Sequence, residues 1–395
     1  MKTPKLSALV VIFMLVPLGP LAIDVFLPSL PQMVEYFEAS NSEIQFTISI
    51  YVLSLGFAQL IAGPISDKYG RRTSILIGVV LYGLASLLVT LSNTVVHLYV
   101  YRIIQGIGAA FTMVSALAWI RDHFNGVQAA KWLSYMGGVT SAIPTIAPLL
   151  GSLLALYWGW NGGFYAMALV SVVILFLTIS FISSEKPCTF TMDSEDTSQI
   201  TCNVKSILSN RQFMTFSFAN MISFGGLISY VAISPIVAIK EAGFSQITFS
   251  ILFGLIGGAQ IIASLIAPKA MQFIGRKITV LSGLLMIITA GVALTVVDVE
   301  NAYVFFFLSG IGCAGFSVIS GAATSLSLEP FKYCAGLATS LDGFIRMVGG
   351  AIIAVIVSSL PVNSYAQLGT IFMISIVPAV LILNSSTKTK SVQSA

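Results

Sequence analysis

Apolar runs of about 20 residues recur along the whole chain, each long enough to cross a ~30 Å hydrocarbon layer as a helix. Composition agrees: 56% of the 395 residues are hydrophobic and 9% are charged, against roughly 25% charged residues in soluble domains. The mean hydropathy is +0.95. The expectation is an all-α, polytopic membrane protein.

Spans are expected near 7–27, 43–66, 73–92, 95–120, 129–154, 161–183, 210–238, 245–270, 277–297, 301–327, 333–359 and 364–384. The first begins behind Lys2 and Lys5 as a signal peptide would, but it is too long and no A-x-A site follows, so it reads as an uncleaved helix.

With twelve crossings, 16 of the 19 Lys and Arg fall on one face, among them Lys68, Arg71, Arg72, Arg121, Lys131, Lys205, Arg211, Lys269, Arg276 and Lys277. The opposite face holds Lys240 alone, with Glu35, Glu38, Glu43, Glu241, Asp298 and Glu300. The positive-inside rule makes the basic face cytoplasmic, with both termini on that side of the inner (plasma) membrane. The net charge of +4 is thereby accounted for by topology, and no nucleic acid partner is implied.

The polar stretch between spans six and seven divides the chain into two six-helix units, 1–184 and 210–395, joined by a linker at 185–209. A degenerate repeat supports the division: GPISDKYGRR (63–72) after span two is echoed by PKAMQFIGRK (268–277) after span eight, with Gly70 and Gly275 205 residues apart. Duplicated halves suggest a secondary transporter.

Two Arg and two Asp remain inside spans: Asp24, Arg102, Asp342 and Arg346. Ionisable groups are costly in a bilayer and by default suggest a pathway or relay. Asp24 lies about 26 Å from the basic end of span one and Arg102 roughly 10 Å in from the opposite end of span four, so the two could pair in one layer. Pro28 and Pro31 are expected to end the helix just beyond Asp24. The alternative for Asp24 is a wetted helix-end carboxylate. Asp342 and Arg346 stand at i and i+4, either a self-neutralising pair or a polar site for substrate or proton. Tyr51, Gln59, Gln105, Asn220 and Tyr230 are candidate cavity residues, or packing.

At this point the motifs resemble a known family. GPISDKYGRR is similar to the segment joining helices two and three of the major facilitator superfamily. LYVYRIIQGIGAA (98–110) resembles its helix-four motif, with Arg102 as the arginine, and MGGVTSAIPTIAPLLGS (136–152) its helix-five antiporter motif. IDVFLPSLP resembles the first-helix signature of twelve-span drug:proton antiporters of the bicyclomycin and chloramphenicol resistance kind.

The resemblance implies alternating access by two bundles and proton-coupled efflux of drug-like compounds, with the proton as coupling ion and no other cofactor. It implies a cytoplasmic gate of Gly63, Asp67, Gly70, Arg71 and Arg72, in which Asp67 caps span eleven in the outward-open state. It implies an interdomain seal at Gly138, Pro144, Pro148 and Gly151, which could meet Gly254 and Gly258 of span eight. Gln272 and Pro268 replace the acid and the first glycine in the second copy, which puts a matching clamp there in question.

The bland readings are a basic loop that fixes topology and ordinary bent-helix packing. Rival functions are a same-fold transporter of one polar metabolite and a receptor or scaffold without transport. A small-molecule substrate and the lipid bilayer are the expected partners of a monomer. There is no G-x-x-x-x-G-K-[ST] loop for ATP and no metal-ligand spacing at His97 or His123. Cys188, Cys202, Cys313 and Cys334 form no disulfide framework.

Overall fold

A computed structural model describes residues 6–124, 126–183, 204–296, 301–360 and 362–392. Lys2, Lys5, most of the linker with Cys188 and Cys202, and the loop acids Asp298 and Glu300 lie outside them. The described residues form helices and no strand. Eleven stretches are long and apolar enough to cross a membrane, one of which, 131–181, holds two helices joined by a turn at Gly159–Asn161. The crossings are therefore twelve, as the hydropathy pattern predicts.

Span one comprises α1 (Leu6–Leu15), α2 (Leu18–Asp24), a 3-10 turn (Leu27–Ser29) and α3 (Leu30–Tyr36). Spans two to six are α4 (Asn41–Tyr69), α5 (Arg71–Val89), α6 (Val95–His123), α7 (Gly126–Trp158) and α8 (Gly162–Phe181). After the short α9 (Val204–Leu208) come α10 (Arg211–Pro235, extended by a π turn at Ile236–Glu241), α11 (Gln246–Ile274), α12 (Arg276–Val296) and α13 (Ala302–Leu328). Span eleven is α14 (Ala335–Phe344), a π turn (Ile345–Gly349) and α15 (Gly350–Ser358), and span twelve is α16 (Ser364–Ile374) with α17 (Ile376–Val392).

Local chemistry sets the ends. Helices that start on the face opposite the basic loops carry polar N-caps: Ser40 on α4 with a full capping box to Glu43, Thr94 on α6, Ser245 on α11, Asn301 on α13 and Asn363 on α16. The turns at Gly70 and Gly275 share one backbone conformation, φ 89° and 83° with ψ 152° in both, a region open to glycine and strained for other residues. The repeat is thus physical. It extends further, because Arg71 pairs with Asp122 at the end of span four and Arg276 pairs with Glu329 at the end of span ten, each at 2.7 Å. The second half keeps this part of the clamp despite Gln272 and Pro268.

Large apolar side chains face outward on most helices: Leu169, Phe176, Leu255, Leu265, Phe273 and Phe307 are each more than 60% exposed. Such a surface suits lipid contact and would aggregate in water. Within each half, α6 packs on α4 and α5, and α13 packs on α10, α11 and α12. The halves meet along two seams, α7 against α11 and α4 against span eleven.

Span one departs from expectation. Pro28 and Pro31 do not terminate it; they occupy the opening positions of the 3-10 turn and of α3, where a missing N–H costs least. The chain stays helical to Tyr36, so Asp24 sits at an internal break with twelve further residues of span beyond it.

Candidate functional site

The break in span one presents backbone carbonyls to its neighbours. Tyr82 of α5 donates its hydroxyl to the Leu18 carbonyl at 2.9 Å, and Tyr51 of α4 donates to that of Gly19 at 2.8 Å. Arg102 of α6 donates through Nη1 to the Ala22 carbonyl at 2.8 Å and to Gln105 Oε1 at 2.5 Å, and through Nε to the Thr47 carbonyl at 3.4 Å. Gln105 passes a hydrogen bond on to Ser86 at 2.8 Å.

The Arg102 guanidinium lies 4.6 Å from the ring centres of both Phe26 and Tyr51, and the residue is 0% exposed. Hydrogen bonds and ring faces together offset the cost of burying that charge. Gly106 allows this packing, since a Cβ there would meet the Ser54 hydroxyl and the Tyr51 carbonyl at 2.0 and 2.6 Å.

Asp24, the last residue of α2, is 4% exposed. The expected Asp24–Arg102 ion pair is not formed: Nη1 and Nε go to backbone carbonyls and Gln105, and Nη2 is enclosed without a partner. Among the described residues the Asp24 side chain has no hydrogen bond or ion pair. It lies within electrostatic reach of Tyr51 in its own half and of Tyr230 on α10 in the other. Directly after it, the 3-10 turn touches α7, α10 and α11, so Asp24 borders the seam between halves. Tyr230 is buried and stacked on Phe253 at 5.3 Å.

In the second half Asp342 and Arg346, read from sequence as either a self-neutralising pair or a polar site, form no ion pair with each other. Asp342, 3% exposed, accepts instead from Ser217 at 2.5 Å, Ser327 at 3.3 Å and Thr324 at 3.3 Å. Asn220 donates to Thr324 at 3.1 Å, leaving its own Oδ1 without a partner. The π turn at Ile345–Gly349 inserts a wider loop of helix, which breaks the i, i+4 register assumed from sequence. Arg346 is half-buried with Nε enclosed and unpartnered, and it lies 5.9 Å from the Phe224 ring.

The remaining cavity candidates divide. Tyr51 and Gln105 are fully buried braces of Arg102 rather than open lining. Gln59 is half-buried, 4.0 Å from the Met113 sulfur and beside Gly343 of span eleven.

At the basic face Arg71 bonds Asp67, Ser66 at 3.0 Å and Asp122 at 2.7 Å. The Ser115 hydroxyl lies 2.7 Å from that of Ser74 and 3.1 Å from that of Ser66, tying the ends of α4, α5 and α6 together. Asp67 is 67% exposed at its side chain and, among the described residues, makes no bond to span eleven. Arg72 turns away from this cluster, to the Ile179 carbonyl at 2.9 Å. Gly63 and Gly138, expected at close contacts, have open space where a Cβ would stand.

Close contacts are found nearer the opposite face. A Cβ on Gly254 would meet the Thr145 carbonyl at 2.9 Å, and one on Gly257 the Thr145 hydroxyl at 2.7 Å and the Pro144 carbonyl carbon at 3.3 Å. Gly258, expected in this seam, meets nothing within 4 Å, so the small face runs i, i+3. Ser250 donates to the Pro148 carbonyl at 2.9 Å. Gly151 serves a different partner: its Cβ would strike the Val25 carbonyl of span one at 1.7 Å. Gln45 to the Ala232 carbonyl at 3.3 Å and Lys240 to Asn41 at 3.0 Å complete the closure. Contacts thus join the halves at the face opposite the basic loops, while at the basic face Asp67 makes no bond to span eleven among the described residues.

Sequence reasoning missed Ser217, Thr324, Ser327, Tyr82 and Asp122. Hydroxyls in apolar spans carry no charge signal, and Asp122 reads as one more loop charge beside Arg121.

The family profile described as Major Facilitator Superfamily matches residues 12–354. The multidrug resistance protein MdtL of Klebsiella pneumoniae (strain 342) is 32% identical over 376 residues, covering 94% of this chain and 93% of that protein. MdtL of Escherichia coli O9:H4 (strain HS) is 29% identical over 372 residues, with 94% and 93% covered. Among solved structures, a D-xylose–proton symporter superposes with a TM-score of 0.75 at 17% identity, over 95% of this chain and 96% of that one. Matched by that profile over most of its length, and all-helical throughout the described residues, the chain belongs to the major facilitator superfamily.

Proposed function

We propose that this chain exports small drug-like compounds from the cytoplasm in exchange for protons, by alternating access of its two bundles. The observation that carries the reading is Asp24: an enclosed carboxylate without a bonding partner, at the broken segment of span one that borders the other half. Burying such a group alone is costly. A proton or a cationic substrate group removes that cost, and the two cannot occupy it together. Relatives carrying the name multidrug resistance protein support the drug-like class.

In this reading the basic face is cytoplasmic, in the inner (plasma) membrane, and the closed opposite face makes the present state inward-facing. Asp67, exposed here, caps the N-terminus of span eleven when the cytoplasmic side closes, where a helix dipole favours an anion. Arg71, anchored by Asp122, holds it ready. The Thr145, Gly254 and Gly257 contact is the outer seal. Substrate and lipid are the partners of a monomer, with the proton as the coupling ion and no other cofactor.

The test is substrate-induced proton flux in proteoliposomes across drug classes. Asp24→Asn is expected to abolish coupled flux, and full retention for every substrate sinks the assignment.

A further inference from the structure

We infer that Arg346 is an anion-recognition point in the substrate path, and that the exported class includes compounds with a carboxylate, or a comparable planar anion, on an aromatic or apolar body. This rests on the export reading above.

The starting observation is a cation whose natural neutraliser is occupied. Asp342, one turn earlier on the same helix, already accepts three hydroxyl donors from Ser217, Ser327 and Thr324. Those donors come from α10 and α13, so the carboxylate acts on Arg346 through space and not through a hydrogen bond. No ion pair links the two, and among the described residues Arg346 makes no hydrogen bond. A guanidinium has five N–H donors in a planar fork matched to a carboxylate. Here Nε–H is enclosed without a partner, which is costly in a membrane-spanning segment unless a ligand completes the fork.

Position supports the same reading. The π turn Ile345–Gly349 that carries Arg346 is wedged between α10 of its own half and α4 of the other, so the residue is in the seam rather than toward lipid. π turns of this kind recur at functional sites. Nε is enclosed, while the two Nη nitrogens reach accessible surface, which leaves the fork end open to an incoming group.

The surroundings then describe the rest of the ligand. Phe224 lies 5.9 Å from the guanidinium and 5.9 Å from Phe316, and Met347 adjoins Arg346 in the chain. Aromatic and methionine side chains suit a flat apolar body and tolerate variation in its shape. Arg346 stands on span eleven and Asp24 on span one, and no hydrogen bond or ion pair joins them among the described residues. The anion site is therefore separate from the carboxylate assigned to the proton.

Equilibrium dialysis of the purified full chain in detergent, with empty micelles subtracted, tests this using three compounds of one ring system: 2-naphthoate, methyl 2-naphthoate and 2-naphthylmethylammonium. The expected order has the anion bound at least tenfold more tightly than the ester. Arg346→Gln brings the two within twofold while the ester's Kd is unchanged, which also shows that the variant is folded. Arg346→Lys retains a preference of about threefold, since it keeps charge and loses the fork.

Equal binding of anion and ester by the native chain, survival of the preference in Arg346→Gln, or no binding of any of the three overturns the assignment. Uptake of the same compounds into everted vesicles reports separately on export. Charge-selective binding without uptake removes only the export reading, and uptake without charge preference removes only the role of Arg346.

Discussion

Arg102 donates to the carbonyl of Ala22 at 2.8 Å, two residues before Asp24 in the same helix, and makes no ion pair with the Asp24 carboxylate. The two charges are thus neighbours with different duties. Arg102 fastens the broken first span to α4, α5 and α6, while Asp24 is left available. Truncation should show the difference. Arg102→Ala strands Gln105 Oε1 and the Ala22 carbonyl in a fully buried site, at about 1–3 kcal/mol for each unsatisfied group. A clear fall in melting temperature in detergent is expected, with Arg102→Lys intermediate and Gln105→Ala milder.

Asp24→Asn provides the contrast. It is near-isosteric and breaks no hydrogen bond among the described residues, so no bonded partner is lost. Its melting temperature should match the native chain or exceed it, while substrate-driven proton flux is lost. Thermal unfolding and proteoliposome flux on the same preparation check this. A large loss of stability would mean that Asp24 is a structural brace.

The contrast also shows what the sequence made legible. Span count, orientation of the loops and duplication followed from run length, Lys and Arg placement, and the Gly70 and Gly275 turns, because each has a direct physical origin in composition or backbone conformation. The four charged residues within spans were located by the same means. Their partners were not, since pairing depends on detail that periodicity averages away. A π turn rotated Arg346 off Asp342, neutral hydroxyls from distant helices took its place, and a backbone carbonyl displaced Asp24 as the acceptor for Arg102. The α2 helix does end at Asp24, ahead of Pro28 and Pro31, but the span resumes at Leu27 and Leu30, because a proline that ends one helix and a proline that begins the next look alike without the fold.

The hydroxyl cage around Asp342 makes its own prediction. Ser217 supplies the shortest of its three hydrogen bonds, at 2.5 Å, and a bond to a charged acceptor is worth about 1.5–3 kcal/mol. Ser217→Ala should lower stability by that order, and it should free Asp342 to turn toward Arg346. The naphthoate preference should then shrink as well, whereas Ser223→Ala, whose hydroxyl serves only the Ala219 carbonyl on the same helix, should leave it intact. Dialysis and thermal unfolding of the two variants distinguish a cage from an incidental contact.

The register of the seam between α7 and α11 is open to a comparison of adjacent glycines. A Cβ on Gly257 would stand 2.7 Å from the Thr145 hydroxyl and 3.1 Å from its backbone nitrogen, whereas one on Gly258 meets nothing within 4 Å. Valine adds two methyl groups to a Cβ already pressed on Thr145, so Gly257→Val should force the halves apart at that face and Gly258→Val should not. Lys240 and Asn41, joined across that face at 3.0 Å, provide the reporter. With both changed to cysteine in a background lacking the native cysteines, oxidative cross-linking should be efficient in the parent and in Gly258→Val, and should fall severalfold in Gly257→Val. Equal yields in the two valine variants would return the seam to the i, i+4 face expected from sequence. A selective loss places the seal on Thr145, Gly254 and Gly257, the contact that must open if the molecule is to face outward.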